Sequence, residues 1–531
     1  MGATLLDPRS LASALIPDLV LGAGTLLIVL LAGWRRQSDE HQYRVGTLSI
    51  ALLAITLAVV GWSAWATPSI DQGIIATDNF RWAVDAILLV GAIFTIPLAI
   101  EAQRRAAITS PETHVLVLFA TQGMMLLAAA RDLILVFLGI EVMSIAVYAL
   151  AAINRRSARS AEAALKYFLL GAFSSAFLLY GMALVYGASG ATRFDAISAA
   201  LANPATLNSP MLKIGIGLLV VGFGFKVAAA PFHMWAPDAY DGAPTPYTAF
   251  MAASVKAAAF AAFLRVFVEA LAPAYAMWHP VIWWLAVVTM VVGNITAIAQ
   301  RNIKRMLAYS SIAHAGYVLV AVVVGPGVGA SQNVVTGPAA FLFYLFAYTL
   351  STMGVFAVVS ALTRRGEPAL SFDEYAGLFF VRPGLTLAMS ACLLALMGFP
   401  VFGGVGFWAK WYMIQAALRG GGAPQTLLVV VLVTTSVVSA AYYLYVITIM
   451  FMRPRPADAP EPPPVGGLTQ AVIGATVLLI LVLGFAPTQV LRGASRSTIR
   501  PPTAPGVIVV PPQAPTITPL NSASAAAPAV R

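Results

Sequence analysis

Six ionisable side chains in this sequence sit inside long apolar runs: Glu141, Lys166, Lys226, Lys256, His314 and Lys410. A charged group at mid-bilayer costs about 2.5 to 3.5 kcal/mol on insertion scales, so several of them need a reason to be there. Four of the six are lysines, although the chain holds only six lysines beside 25 arginines. Arginine stays protonated, whereas a desolvated lysine can release its proton near neutral pH. The selection of lysine therefore points to proton transfer. One structural ion pair would explain Glu141 and a single lysine, and the surplus argues for a hydrated relay. His314, near the middle of its apolar run, fits either a relay or a satisfied core group. His233, beside Pro231 and Trp235, reads as structural, and Arg265, near a helix end, as a side chain that snorkels to the interface.

The elements that must position these groups follow from composition. The chain has 531 residues, 60% of them apolar and 10% charged, with a mean hydropathy of +0.85. Soluble domains carry roughly a quarter charged residues, so this is an all-α polytopic membrane protein. Spans of about 20 apolar residues predict about fourteen helices: 15–33, 45–66, 83–101, 114–130, 132–153, 161–187, 213–235, 244–267, 280–300, 304–325, 337–362, 383–417, 425–452 and 466–491. The run from Leu19 to Trp34 is followed by Arg35 and Arg36 instead of a small-residue cleavage site, and reads as a retained first span. Loops after odd-numbered spans carry sixteen basic residues against six on the other side. That places the odd loops in the cytoplasm and both termini outside. The net charge of +10 is thereby accounted for as topology, and no nucleic-acid motif accompanies it. The single cysteine, Cys392, excludes a disulfide framework and a Cys-ligated iron–sulfur cluster.

Two spans carry helix-breaking residues beside a lysine. Pro231 follows Lys226, and Gly398, Pro400, Gly403, Gly404 and Gly406 precede Lys410. Non-helical backbone at membrane depth is tolerated only inside protein or beside water, and paired breaks point to transporter sites. Grouping spans four to eight and nine to thirteen as five-helix units puts Lys226 and Lys410 on the fourth helix of each, and Glu141 and His314 on the second. Five is odd, so the second unit runs inverted. The symmetry is incomplete, because the helices matching those of Lys166 and Lys256 offer only tyrosines such as Tyr344 and Tyr442. The expected organisation is an N-terminal three-helix segment (1–113), a first unit (114–267), a second, inverted unit (280–452), a last helix (466–491) and a Pro/Ala-rich tail (492–531), disordered or draped on a neighbour.

The segments Asp132 to Glu141, Glu162 to Gly171, Lys226 to Pro244 and Asn302 to His314 closely resemble the antiporter-like membrane subunits of respiratory complex I, the proton-translocating NADH:quinone oxidoreductase. The likeness covers roughly 114–417 and is most specific over 226–244. Lysine at 410, where M-type chains usually carry glutamate, and the lack of a long lateral helix favour the bacterial N-type branch. The resemblance implies a Glu141–Lys226 ion pair that gates protonation, Lys166 as a modulator, Lys256 as central relay, His314 as a connecting group and Lys410 as the terminal site. It implies no cofactor in this chain, with FMN, iron–sulfur clusters and quinone on partner subunits. Implied partners are other membrane-arm subunits, among them another antiporter-like chain and small membrane subunits, with lipid and protons, in a bacterial plasma membrane. Two other readings share these residues: an Mrp-type cation/proton antiporter subunit, and a membrane-arm scaffold without transport.

Overall fold

In a computed structural model of the chain, residues 8–34, 38–66, 73–325, 335–364, 370–400, 404–419, 422–456, 461–497 and 499 are described. Twelve helices among them are long and apolar enough to cross a membrane. They are α1 (Pro8–Trp34), α2 (Asp39–Ala66), α3 (Asn79–Ala106), α4 (Glu112–Ala129), α5 (Leu133–Ala151) and α6 (Ala158–Ser189), then, after two shorter pieces, α9 (Thr245–Ala270), α10 (Tyr275–Ile298), α11 (Ile303–Val324), α12 (Gly337–Ala361), α15 (Ala423–Met452) and α16 (Gly467–Phe485). The two remaining expected spans are each split, the first into α7 (Pro210–Lys226) and α8 (Trp235–Gly242), the second into α13 (Pro383–Met397) and α14 (Val405–Arg419). The breaks fall where proline and glycine interrupt the apolar pattern. Residues 401–403 of the second break, Arg35, Arg36, Arg365, part of the proline-rich linker (457–460) and the tail beyond 499 lie outside the described residues. The start of the expected tail is helical instead, within Pro487–Arg496.

Burial arranges these helices in depth. α9 is buried along its whole length and α11 and α12 nearly so, whereas α1 and α16 present most of their surface outward. A central helix with no lipid-facing side must be small-sided, and α9 obliges with the run Ala257, Ala258, Ala259, Ala261 and Ala262. It is also irregular: two π-helical turns, Met251–Val255 and Val266–Ala270, flank its central segment, and Lys256 follows directly on the first. π-turns inside α-helices occur mostly at functional positions.

Two helix pairs share one local construction. α5 starts at Asp132, whose carboxylate accepts from the backbone N–H of Ile134, and α11 starts at Asn302, whose side chain accepts from Lys304 and Arg305. Each cap is stitched to the loop beyond the next helix, Leu133 to Thr192 at 3.0 Å and Ile303 to Leu370 at 2.8 Å. Phe-Asp follows in both loops, as Phe194-Asp195 and Phe372-Asp373. The preceding helix packs backbone to backbone through glycine in both cases. A Cβ on Gly123 would lie 2.5 Å from the Met143 nitrogen, and one on Gly293 would lie 2.5 Å from that of Ala313.

Several charges expected at the surface are buried. Arg265 does not snorkel: it is 1% exposed, held by both oxygens of Asp78 at 2.7 and 2.8 Å and by Glu269 at 2.7 Å. Arg131 reaches the other Glu269 oxygen at 2.9 Å. Arg81, assigned to a loop by the charge tally, is fully buried on α3 between Asp18 of α1 and Asp85. Lys304, likewise assigned to a loop, is buried and donates to the carbonyls of Asp241 and Ala243 at 3.2 and 2.6 Å. These positions flank short loops in sequence, but neighbouring helices close over them. The Arg81 and Arg265 clusters meet at Asp78, whose carboxylate also caps α3, so they fasten α1 and α3 to α9.

Candidate functional site

Both helix breaks end beside a lysine, and the backbone groups they free are satisfied locally. At the first, the Trp235 indole donates to the Phe225 carbonyl at 2.9 Å and the Ala230 N–H to Thr289 Oγ1 at 3.0 Å. Lys226, the last residue of α7, turns its ammonium to Ser144 Oγ on α5 at 3.0 Å, 6.0 Å from the Tyr148 ring centre. At the second, Gly398 takes a left-handed conformation (φ 83°) and ends α13. Lys410 reaches back from α14 and donates to the freed Met397 carbonyl at 2.9 Å. Its ammonium also lies 4.9 Å from the Tyr317 ring centre.

Lys256 occupies the centre. Its ammonium donates to Ser311 Oγ at 2.5 Å and to the Ser311 carbonyl at 3.0 Å. Tyr348 donates to the same hydroxyl at 2.8 Å. One turn along α11, His314 holds Tyr344 at 2.7 Å through Nδ1 and Tyr443 at 3.1 Å through Nε2, and Tyr443 is hydrogen-bonded to Ser310. Asn294 joins Tyr317 at 2.9 Å to Tyr442 at 3.0 Å. A small cavity of about 10 Å³ lies between His314, Tyr344, Tyr348 and Lys410. Lys226, Lys256, His314 and Lys410 are all buried. Among the described residues none of them has a carboxylate within ion-pair distance; hydroxyl, phenol and carbonyl oxygens serve instead. Hydroxyl and imidazole groups both donate and accept, so each of these separate hydrogen-bonded groups can take up and release a proton.

Two expected site residues are placed differently. Glu141 makes no direct contact with Lys226: it is half-buried on α5 and accepts from Ser175 of α6 at 2.6 Å. Ser144, one turn further along α5, takes the lysine in its place. Lys166 does not lie in the interior. Its half-exposed ammonium bridges Glu162 at 2.8 Å and Asp238 at 3.1 Å, and Arg305 shares Asp238 at 2.8 Å.

The residues that sequence reasoning missed are Ser144, Ser311, Tyr348 and Tyr443, which are uncharged. A signal was present in the helix caps. Counting nine residues from Asp132 and from Asn302 gives Glu141 and Ser311, and counting twelve gives Ser144 and His314. Ser311 thus takes in its helix the place that Glu141 takes in the other, and Ser144 takes the place of His314. Among the described residues, no cluster of three or more His, Cys, Asp or Glu side chains could hold a metal ion.

Buried lysines with serine, tyrosine and histidine partners between two broken helices are the arrangement expected of an antiporter-like membrane subunit. The family described as NADH:quinone oxidoreductase/Mrp antiporter, transmembrane, matches residues 130–439. NADH-quinone oxidoreductase subunit N of Gemmatimonas aurantiaca is 51% identical over 495 residues, 91% of this chain and 93% of that one. A chain of respiratory complex I from Thermus thermophilus with bound aureothin is 36% identical, covers 91% of this chain and all of its own, and superposes with a TM-score of 0.74. A chain of the Mrp complex from Dietzia shares the fold at 21% identity, with a TM-score of 0.78 over 92% of this chain and 97% of its own. The chain belongs to the NADH:quinone oxidoreductase/Mrp antiporter family and, within it, to the subunit N family of NADH-quinone oxidoreductase.

Proposed function

We propose that this chain carries protons across a bacterial plasma membrane as subunit N of an NADH-quinone oxidoreductase, along the line Lys226, Lys256, His314 and Lys410. The observation that carries the reading is that all four groups are buried and each is held by a neutral oxygen. A lysine locked to a carboxylate is stabilised in its charged form, whereas one held by a serine or a carbonyl can exchange its proton at lower cost. Ser311 offers one hydroxyl to both Lys256 and Tyr348, and His314 stands one turn away. Lys410 closes the line beside the cavity that His314 also lines.

The driving event lies outside the chain. Quinone reduction on partner subunits shifts charge along the membrane arm, and Glu141 is the group through which that field acts on Lys226. A carboxylate near Lys226 but not bonded to it is suited to this, because moving Glu141 toward or away from Ser144 changes the field without breaking a strong pair. Moving one charge against 100 mV costs about 2.3 kcal/mol, comparable to one or two pKa units of coupling. Lys166 modulates from the surface through Asp238. FMN, the iron–sulfur clusters and the quinone belong to partner subunits, and the chain's neighbours are another antiporter-like subunit and small membrane subunits. Both termini face outside the cytoplasm. The first and second five-helix units, 114–267 and 280–452, are inverted repeats, a reading supported by the matching caps, loop stitches and glycine crossings of α4–α5 and α10–α11.

The test is the purified complex carrying Lys226→Gln, reconstituted in liposomes. Proton delivery coupled to quinone reduction should fall while the subunit composition stays that of wild type. Wild-type delivery from a fully assembled variant would overturn the assignment.

A further inference from the structure

Beyond the proton path, one surface feature has the shape of a ligand site. A groove of about 1280 Å³ runs between α13 and α16, with Ile447 and Phe451 of α15 at one end. Its walls extend from Pro383 to Leu394 on α13 and from Gln470 to Leu481 on α16. At 1.5 Å per residue each wall is about 17 Å long. Half of a roughly 30 Å hydrocarbon core is about 15 Å, so the groove is about as long as one leaflet is deep. It is hollow because small residues line it: a Cβ added at Gly384 or at Gly474 would meet no atom within 4 Å.

Its polar end carries a cation. Arg382 stands at the mouth, where α13 begins, and donates one N–H to the Pro462 carbonyl at 3.2 Å. The cationic guanidinium at the mouth of an apolar groove of that length complements a phosphate ester joined to an acyl chain.

We propose that this groove binds one phospholipid, an acyl chain between α13 and α16 and the phosphate on Arg382. The site is separate from the lysine line, so its test does not depend on the assignment of transport. Two measurements address it on the intact purified complex. In the first, phospholipid retained after extensive detergent washing is counted per complex for wild type, Gly474→Phe and Arg382→Gln. Because a Cβ at position 474 opens on empty space, a phenylalanine there can enter the groove. Gly474→Phe should lose one phospholipid per chain with every subunit retained, and Arg382→Gln should lose it at lower detergent. Unchanged lipid counts, or loss of a protein subunit from Gly474→Phe, would overturn the proposal, the latter by marking the groove as a subunit interface. In the second, wild-type complex is exposed to phosphatidylglycerol bearing a photoreactive acyl chain. Label should map to residues 383–394 and 470–481, and labelling only elsewhere on the chain would overturn the proposal even if both variants fail to assemble.

Discussion

Ser311 is the residue through which Lys256 and Tyr348 communicate, and its replacement by alanine has a calculable consequence. The hydroxyl accepts from the Lys256 ammonium at 2.5 Å and from Tyr348 at 2.8 Å, and no other contact joins those two side chains directly among the described residues. Ser311→Ala leaves Lys256 with the Ser311 carbonyl alone, at 3.0 Å, which accepts a hydrogen bond but cannot pass a proton on. A hydrogen bond to a charged group contributes about 1.5 to 3 kcal/mol. If that interaction is lost from the transfer step, the barrier rises by the same amount, roughly ten- to hundredfold in rate at 1.36 kcal/mol per decade. On the proposed function, the slowed step should limit proton delivery through this chain. The assay is proton delivery by reconstituted complex, with NADH oxidation followed in parallel. Ser311→Thr restores a hydroxyl on the same backbone position and should recover most of the rate. Ser311→Ala at wild-type rate, with assembly intact, would refute the argument that this hydroxyl lies on the path.

Three further outcomes follow from the geometry. Asp78 lies outside the spans; burial opposes its charge, but Arg265 overcomes this and holds its pKa at about 2 against an ordinary 3.8. A lowered folded-state pKa stabilises above the unfolded value, here by about 2 kcal/mol. The unfolding midpoint of wild type should therefore exceed that of Asp78→Asn near neutral pH, and the gap should close as pH falls from about 4 toward 2; a gap independent of pH would count against the clamp. Gly406→Ala would put a Cβ 1.7 Å from the Ala395 carbonyl oxygen, so the two halves of the broken helix must separate and draw Lys410 from Met397. Proton delivery should be lost while a glycine-to-alanine control at Gly217, where a Cβ meets nothing within 4 Å, keeps it. Lys166→Gln alters a half-exposed ion-pair cluster and should change proton delivery far less than Lys226→Gln does; a loss as deep as that from Lys226→Gln would return Lys166 to the path.

The spans and their breaks were legible because each follows from composition: apolar runs of one length, interrupted by Pro231 and by the cluster around Pro400. The lysines were legible for the same reason, since charge is scarce enough for each position to stand out. Partner choice was not legible. Glu141 and Lys226 form an ion pair by charge alone, yet the rotation of α5 presents Ser144 to the lysine and turns Glu141 toward Ser175. Arg265 and Arg81 show the same limit from the other direction. Their positions near span ends suggested exposure, but burial depends on which helix closes over them, and that is a long-range property of α1, α3 and α9. The uncharged links, Ser311, Tyr348 and Tyr443, gave no compositional signal in a chain with 17 tyrosines.

The central claim is that protons cross the middle of this chain at Lys256, and Lys256→Gln tests it most directly. Glutamine retains donors for both Ser311 oxygens but has no titratable proton. Complex purified with this substitution, assembled with all its subunits and reconstituted in liposomes, should show strongly reduced proton delivery coupled to quinone reduction. Proton delivery at the wild-type rate and stoichiometry from the same preparation would contradict the account.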